Sequence, residues 1–102
     1  AVILDPPSYG HGPAGEVWKL ADDLPRLLDL CRELTQGQPR FMLLSCHTPQ
    51  FDGPALRATL AQAMRLQNRE TNELCQSLNM DLPTRAGRRL GCGTAIRYQS
   101  AK

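Results

Sequence analysis

Apolar and polar positions follow several distinct rhythms along the 102 residues. The chain opens on a continuous apolar run, Ala1-Val2-Ile3-Leu4, which stops at Asp5-Pro6-Pro7. Neither proline can donate to a sheet ladder, so the run reads as a buried strand ending on a carboxylate. Residues 8–15 hold three glycines and a proline and read as a loop. From Leu20 the apolar residues Leu20, Leu24, Leu27, Leu28, Cys31 and Leu34 fall on one face of a helix. Asp22 and Asp23 suit its first turn, Pro25 asks for the main helix to start near it, and Gly37 and Pro39 close it.

Arg40 to Cys46, with Phe41-Met42-Leu43-Leu44 unbroken, predicts a second strand buried on both faces. Strand, helix and strand in that order imply a parallel βαβ unit. Asp52 is placed to cap a further helix running to about Leu66, with Pro54 in its first turn and Leu56, Leu60, Ala63 and Met64 on one face. Thr71 to Leu78 alternates weakly, Asn79 to Arg89 is turn-rich, and Leu90 to Gln99 alternates with Ile96 and Tyr98 on one side. A closing antiparallel pair is the simplest reading.

Composition narrows the class. The net charge of +2 announces no polyanion by itself, although Arg85, Arg88 and Arg89 form one basic cluster, which reads either as a solvated surface or as a set of phosphate contacts. Cys31, Cys46, Cys75 and Cys92 form no CxxC pair, and neither His11 nor His47 has a second histidine at ligand spacing. No disulfide framework and no metal site is expected, and free thiols suit a reducing cytoplasm. No window approaches the roughly 18 apolar residues of a membrane span. The strand-like start at residue 1 reads as a cut edge, which makes residues 1–102 a single partial domain.

In open parallel sheets ligands sit at the carboxyl ends of strands, so residues 5–9 and 45–48 should share one crevice. Asp5 with two prolines behind it offers a fixed acceptor carboxylate, and the Pro6 carbonyl has no N–H on Pro7 competing for it. This pair suits gripping a planar, amino-bearing edge; the plainer alternative makes Asp5 a strand-ending turn residue that caps the following segment. Tyr9 reads equally as a stacking platform or a core anchor. Cys46 reads as a small buried residue or as a nucleophile. His47 should face away from its neighbour Cys46, so solvent or substrate contact is expected of it rather than activation of the thiol. Trp18 reads as a packing residue at a helix start or, with Lys19, as part of the loop over the target, and Cys31 reads as core.

Asp5-Pro6-Pro7-Ser8-Tyr9 at a strand end resembles the fourth motif of class I S-adenosylmethionine-dependent methyltransferases. The longer string to Lys19 is similar to the bacterial family related to the 23S ribosomal RNA cytosine-C5 methyltransferase. Leu44-Ser45-Cys46-His47-Thr48 resembles that family's sixth-motif strand end, and Leu90-Gly91-Cys92-Gly93-Thr94 its final glycine-bearing strand. The likeness spans nearly the whole chain.

The resemblance implies an α/β fold: the C-terminal half of a seven-stranded Rossmann-like sheet, from the fourth strand onward, with an antiparallel terminal pair. It implies S-adenosylmethionine as cofactor, touched here by Asp5 and Pro6, and a donor-binding N-terminal half lying upstream of Ala1. It implies RNA, first of all ribosomal RNA, as partner. Asp5 and Cys46 then become the catalytic pair, with Cys46 adding to C6 of cytosine before C5 is methylated, and Pro6, Pro7, Ser8, Tyr9 and His47 line the substrate. Several RNA cytosine-C5 families carry a second cysteine after the motif-four proline, where this chain has Ser8. Two other readings stand beside it: transfer to a nitrogen of an RNA base or of another small acceptor without a covalent adduct, and a non-catalytic module that binds RNA or a protein partner. The edge at Ala1 to Leu4 is expected to be open to self-association or to the upstream half.

Overall fold

The computed structural model describes residues 1–48 and 51–100. Strand β1 (Val2–Leu4) lies parallel to a later strand, with Val2, Ile3 and Leu4 opposite Met42, Leu43 and Leu44. The segment between them holds more structure than the glycine count suggests. Strands β2 (Tyr9–His11) and β3 (Val17–Lys19) form a separate antiparallel hairpin where residues 8–15 read as a loop. Gly12 N–H donates to the Glu16 carbonyl at 2.8 Å and closes it.

Helix α1 (Leu20–Leu34) starts five residues before Pro25, earlier than the proline suggested. The start is fixed from outside: the Lys19 N–H donates to Asp23 Oδ2 at 2.8 Å, and the Leu20 N–H to the Ser8 carbonyl at 3.1 Å. These contacts outweigh the backbone bond that Pro25 cannot make to Ala21. Leu20, Leu24, Leu28 and Cys31 are its buried stripe, with Leu27 half-buried, whereas Leu34, expected on the same face, lies at the last turn and is exposed. Gly37, at φ +72°, ends it with an N–H to the Arg32 carbonyl.

Strand β4 (Phe41–Cys46) buries Met42, Leu44 and Cys46 completely, while Phe41, Leu43 and Ser45 are half-buried. One face is covered rather than two, because α1 and helix α2 (Gly53–Met64) both pack on the Met42–Leu44–Cys46 side. In α2, Asp52 Oδ1 accepts from the Ala55 N–H at 2.9 Å, and the buried stripe is Leu56, Leu60, Ala63 and Met64, as the periodicity predicts.

Helix α3 (Asn68–Leu74) takes up the first half of the weakly alternating segment Thr71 to Leu78. It is a surface turn of seven residues with no buried side chain, made by a Gln67–Glu70 capping box and an Arg69–Glu73 pair at 3.1 Å. Strand β5 (Cys75–Pro83) and strand β6 (Arg89–Gln99) close the chain as an antiparallel pair. Asn79 to Pro83, read as turn, are in the ladder, and only Thr84 to Arg88 turn.

The sheet order is β1-β4-β6-β5, so the last strand inserts between β4 and β5. Its residues Ala95, Ile96 and Tyr98 are buried, whereas β5 buries only Cys75. The more apolar strand takes the inner place. β1 is left at the edge with Ile3 exposed.

Candidate active site

The parallel register of β1 and β4 brings their carboxyl ends level, so Asp5 and Ser45 meet. Ser45 Oγ–H donates to Asp5 Oδ1 at 2.5 Å. His47, one residue past the end of β4, sets Nε2 at 3.3 Å from the same Asp5 oxygen. Both side chains are open to solvent, 64% for Asp5 and 56% for His47, which limits the pair's contribution to stability to about 1 kcal/mol or less. The second carboxylate oxygen has no protein partner among the described residues.

His47 is held from behind by β6. Its Nδ1 is hydrogen-bonded to the Cys92 carbonyl, an acceptor, so Nδ1 carries a proton. The other ring nitrogen, Nε2, is thereby turned toward the Asp5 carboxylate. The Cys92 carbonyl is available because of a bulge: Met80 pairs with Gly93 and Asp81 with Gly91, leaving Cys92 without a cross-strand partner. Gly93 makes the approach possible. Its φ is +122°, and a Cβ there would stand 2.4 Å from the Cys46 carbonyl oxygen and 3.0 Å from His47 Nδ1.

The Pro-Pro segment is fixed by the hairpin. Trp18 Nε1–H donates to the Pro7 carbonyl at 2.6 Å. Ser8 is bound twice, through its carbonyl to the α1 start and through Oγ to Thr48 Oγ1. Pro6 is half-buried and Pro7 exposed. Tyr9 goes elsewhere: it belongs to β2, is 54% exposed, and bonds its hydroxyl to His11 Nε2 at 2.9 Å, the two rings edge-to-face with centroids 4.9 Å apart.

Cys46 is 1% exposed and belongs to the apolar core, where its Sγ accepts the Thr48 N–H at 3.4 Å. Beside it, an open groove of about 490 Å³ runs between Cys46–Thr48 and Gly91–Thr94, with Phe51 and Asp52 at one side. A second groove of about 460 Å³, mostly apolar, lies away from the strand ends between the hairpin and α1, lined by His11, Trp18 and Leu27 among others.

Sequence order places residues 5–9 and 45–48 at one crevice; the geometry brings Asp5, Ser8, Ser45, His47 and Thr48 together there, adds Cys92, and sends Tyr9 into the hairpin and the Cys46 side chain into the core. The Asp5–His47 contact and the role of Cys92 went unread, because a bulge leaves no mark in composition beyond the Gly91 and Gly93 that flank it. Among the described residues no three His, Cys, Asp or Glu side chains converge as a metal site, and no helix is long and apolar enough to cross a membrane.

No protein-family model matches the chain, and no curated protein does. Among solved structures it is similar to a SAM-dependent methyltransferase from Agrobacterium tumefaciens, with a TM-score of 0.75 and 24% identity over 96% of this chain and 32% of that one. The chain thus spans about a third of that protein's length. At this level the likeness is one of fold, and the described residues have a mixed α/β architecture similar to part of that protein.

Proposed function

We propose that this chain carries the acceptor side of an S-adenosylmethionine-dependent methyl transfer to a base of RNA, with the donor held mainly by a segment N-terminal to Ala1. The observation that carries this reading is the Asp5 carboxylate. It sits at a parallel strand end, with one oxygen fixed by Ser45 and His47 and the other unengaged, in a fold shared with a methyltransferase. Asp5 and Pro6 present oxygen acceptors only, a set that fits the N–H edge of an amino-bearing base on one side and a cationic sulfonium on the other. When bound, the donor supplies an electrophilic methyl on sulfur.

Asp5 orients the acceptor by accepting a hydrogen bond from its N–H, which directs the nitrogen lone pair and stabilises the positive charge that grows there as the N–CH₃ bond forms and the S–CH₃ bond breaks; the sulfur leaves as a neutral thioether and the nitrogen sheds its extra proton to solvent. His47 and Ser45 keep the carboxylate in one rotamer. The Trp18 contact holds the Pro6-Pro7 backbone still while this happens. Four free thiols suit work in a reducing cytoplasm.

The burial of Cys46 favours direct transfer to nitrogen over covalent attack on cytosine, since an attacking thiolate must reach the base. Trapping separates the two routes. The full-length protein, incubated with radiolabelled S-adenosylmethionine and ribosomal RNA, should label the RNA, and RNA containing 5-fluorocytosine should give no denaturation-resistant adduct. An adduct that Cys46→Ala abolishes overturns direct transfer. RNA binding without label transfer supports a non-catalytic module instead.

A further inference from the structure

Beyond the Cys92 bulge, β5 and β6 continue as a two-stranded arm in which every residue from Leu82 to Gly91 is exposed. Three arginines against one aspartate leave residues 81–91 at +2, which equals the net charge of the whole chain, so the remaining residues sum to zero. Arg89 spends its guanidinium on Asp81 at 2.7 Å. Arg85, in the turn, and Arg88, beside it, have no ion-pair partner among the described residues. Leu82 and Leu90 stand directly opposite each other, 57% and 59% exposed. Alternation puts Thr84 and Arg88 on the same face as this leucine pair.

An arm that packs on nothing, yet carries an apolar cross-strand pair next to unpaired guanidiniums, has the character of a contact surface. Its position says what for. The arm springs from Cys92, the residue whose carbonyl holds His47 against Asp5. Arg88 lies four residues from Cys92, about 13 Å along an extended strand, a reach that covers a few nucleotides flanking a base at Asp5.

We propose that the β5–β6 arm is the track on which an RNA strand lies as it passes to Asp5, with Arg85 and Arg88 meeting phosphates and Leu82 and Leu90 meeting base faces. This rests on the methyl-transfer reading for the identity of the site, and it adds the element that grips the substrate. Charge complementarity favours RNA: the planar fork of arginine matches phosphate, and the surplus positive charge of the chain is concentrated here.

The test is fluorescence anisotropy of a labelled single-stranded RNA with the full-length protein, without donor, across a potassium chloride series. Arg85→Ala/Arg88→Ala should weaken binding about tenfold at low salt and reduce the slope of log affinity against log salt by about 1.4, the share of two phosphate contacts on a single strand. Arg85→Lys/Arg88→Lys should retain the slope, which separates lost charge from lost folding. Unchanged slope and affinity in the alanine variant overturn the inference, as does poly-glutamate binding that the variant loses in the absence of RNA binding, which identifies an acidic protein as the partner. RNA binding that needs the arm, with no methyl transfer, sinks the enzymatic reading alone; methyl transfer to RNA indifferent to the alanine pair sinks the arm alone.

Discussion

His47 Nε2 stands 3.3 Å from Asp5 Oδ1 while its other ring nitrogen is bonded to the Cys92 carbonyl, so one imidazole ties together the ends of β1 and β4 and the bulge of β6. The contact is exposed and weakly stabilising, which makes it a positioning device rather than a brace. His47→Ala is expected to lower methyl transfer by about tenfold through kcat, as the Asp5 carboxylate gains rotamer freedom, while stability falls by about 1 kcal/mol or less. Kinetics paired with urea titration of the same variant check both halves.

Gly93 is the residue on which this arrangement turns. Gly93→Ala puts a methyl 2.4 Å from the Cys46 carbonyl oxygen at a φ of +122°, so β6 must withdraw or strain. A loss of about 2 kcal/mol or more is expected, read as a lower urea midpoint at unchanged slope. Gly10, by contrast, has nothing within 4 Å of the point where a Cβ would stand, and Gly10→Ala should leave stability nearly untouched.

Trp18 joins the hairpin to the Asp-Pro-Pro segment through one hydrogen bond to the Pro7 carbonyl. Trp18→Phe keeps most of the packing and removes the donor, so it should cost about 1 kcal/mol and raise KM for the acceptor more than it lowers kcat. Differential scanning calorimetry and steady-state kinetics give the two numbers.

The four thiols should separate by access. Burial pushes the Cys31 thiol up, and pushes the Cys75 thiol up against a smaller opposing pull from Arg57, while Cys46 is sealed in the core and Cys92 is half-buried. Alkylation at mildly alkaline pH, followed by peptide mass spectrometry, should mark Cys92 first and the other three only after unfolding.

The same burial makes stability fall in alkali. Burial also raises Tyr98, reinforced by Cys75 and Glu70 and opposed by its bond to Ser100. In the unfolded chain the thiols ionise near 9.0 and the phenol near 10.0, whereas the folded chain holds these protons longer. The stabilisation is full below pH 9 and is lost as pH rises through the folded values. Urea midpoints measured from pH 7 to pH 11 should decline only above about pH 9.

Much of this was legible in the pattern of residues. The βαβ order, the buried stripes of α1 and α2 and the antiparallel closing pair follow from periodicity, because each is set by which residues leave water. Asp5 stood out because two prolines force a strand to end on it. What escaped depends on partners distant in sequence. The start of α1 is decided by Ser8 and Asp23, the place of β6 by competition with β5 for the inner position, and the Asp5–His47 contact by a carbonyl that a bulge releases. Tyr9, at the end of the motif, turned into a hairpin whose short strands gave no alternation to read.

The central claim is that Asp5, not Cys46, carries the acceptor chemistry, and single-turnover methyl transfer from S-adenosylmethionine to RNA by the full-length protein tests it most directly. Asp5→Ala should slow the chemical step by about 100-fold or more, a loss of about 3 kcal/mol of transition-state stabilisation, while Cys46→Ala remains within a few-fold of the native rate. A native rate in Asp5→Ala, or abolition of transfer in a folded Cys46→Ala, contradicts it.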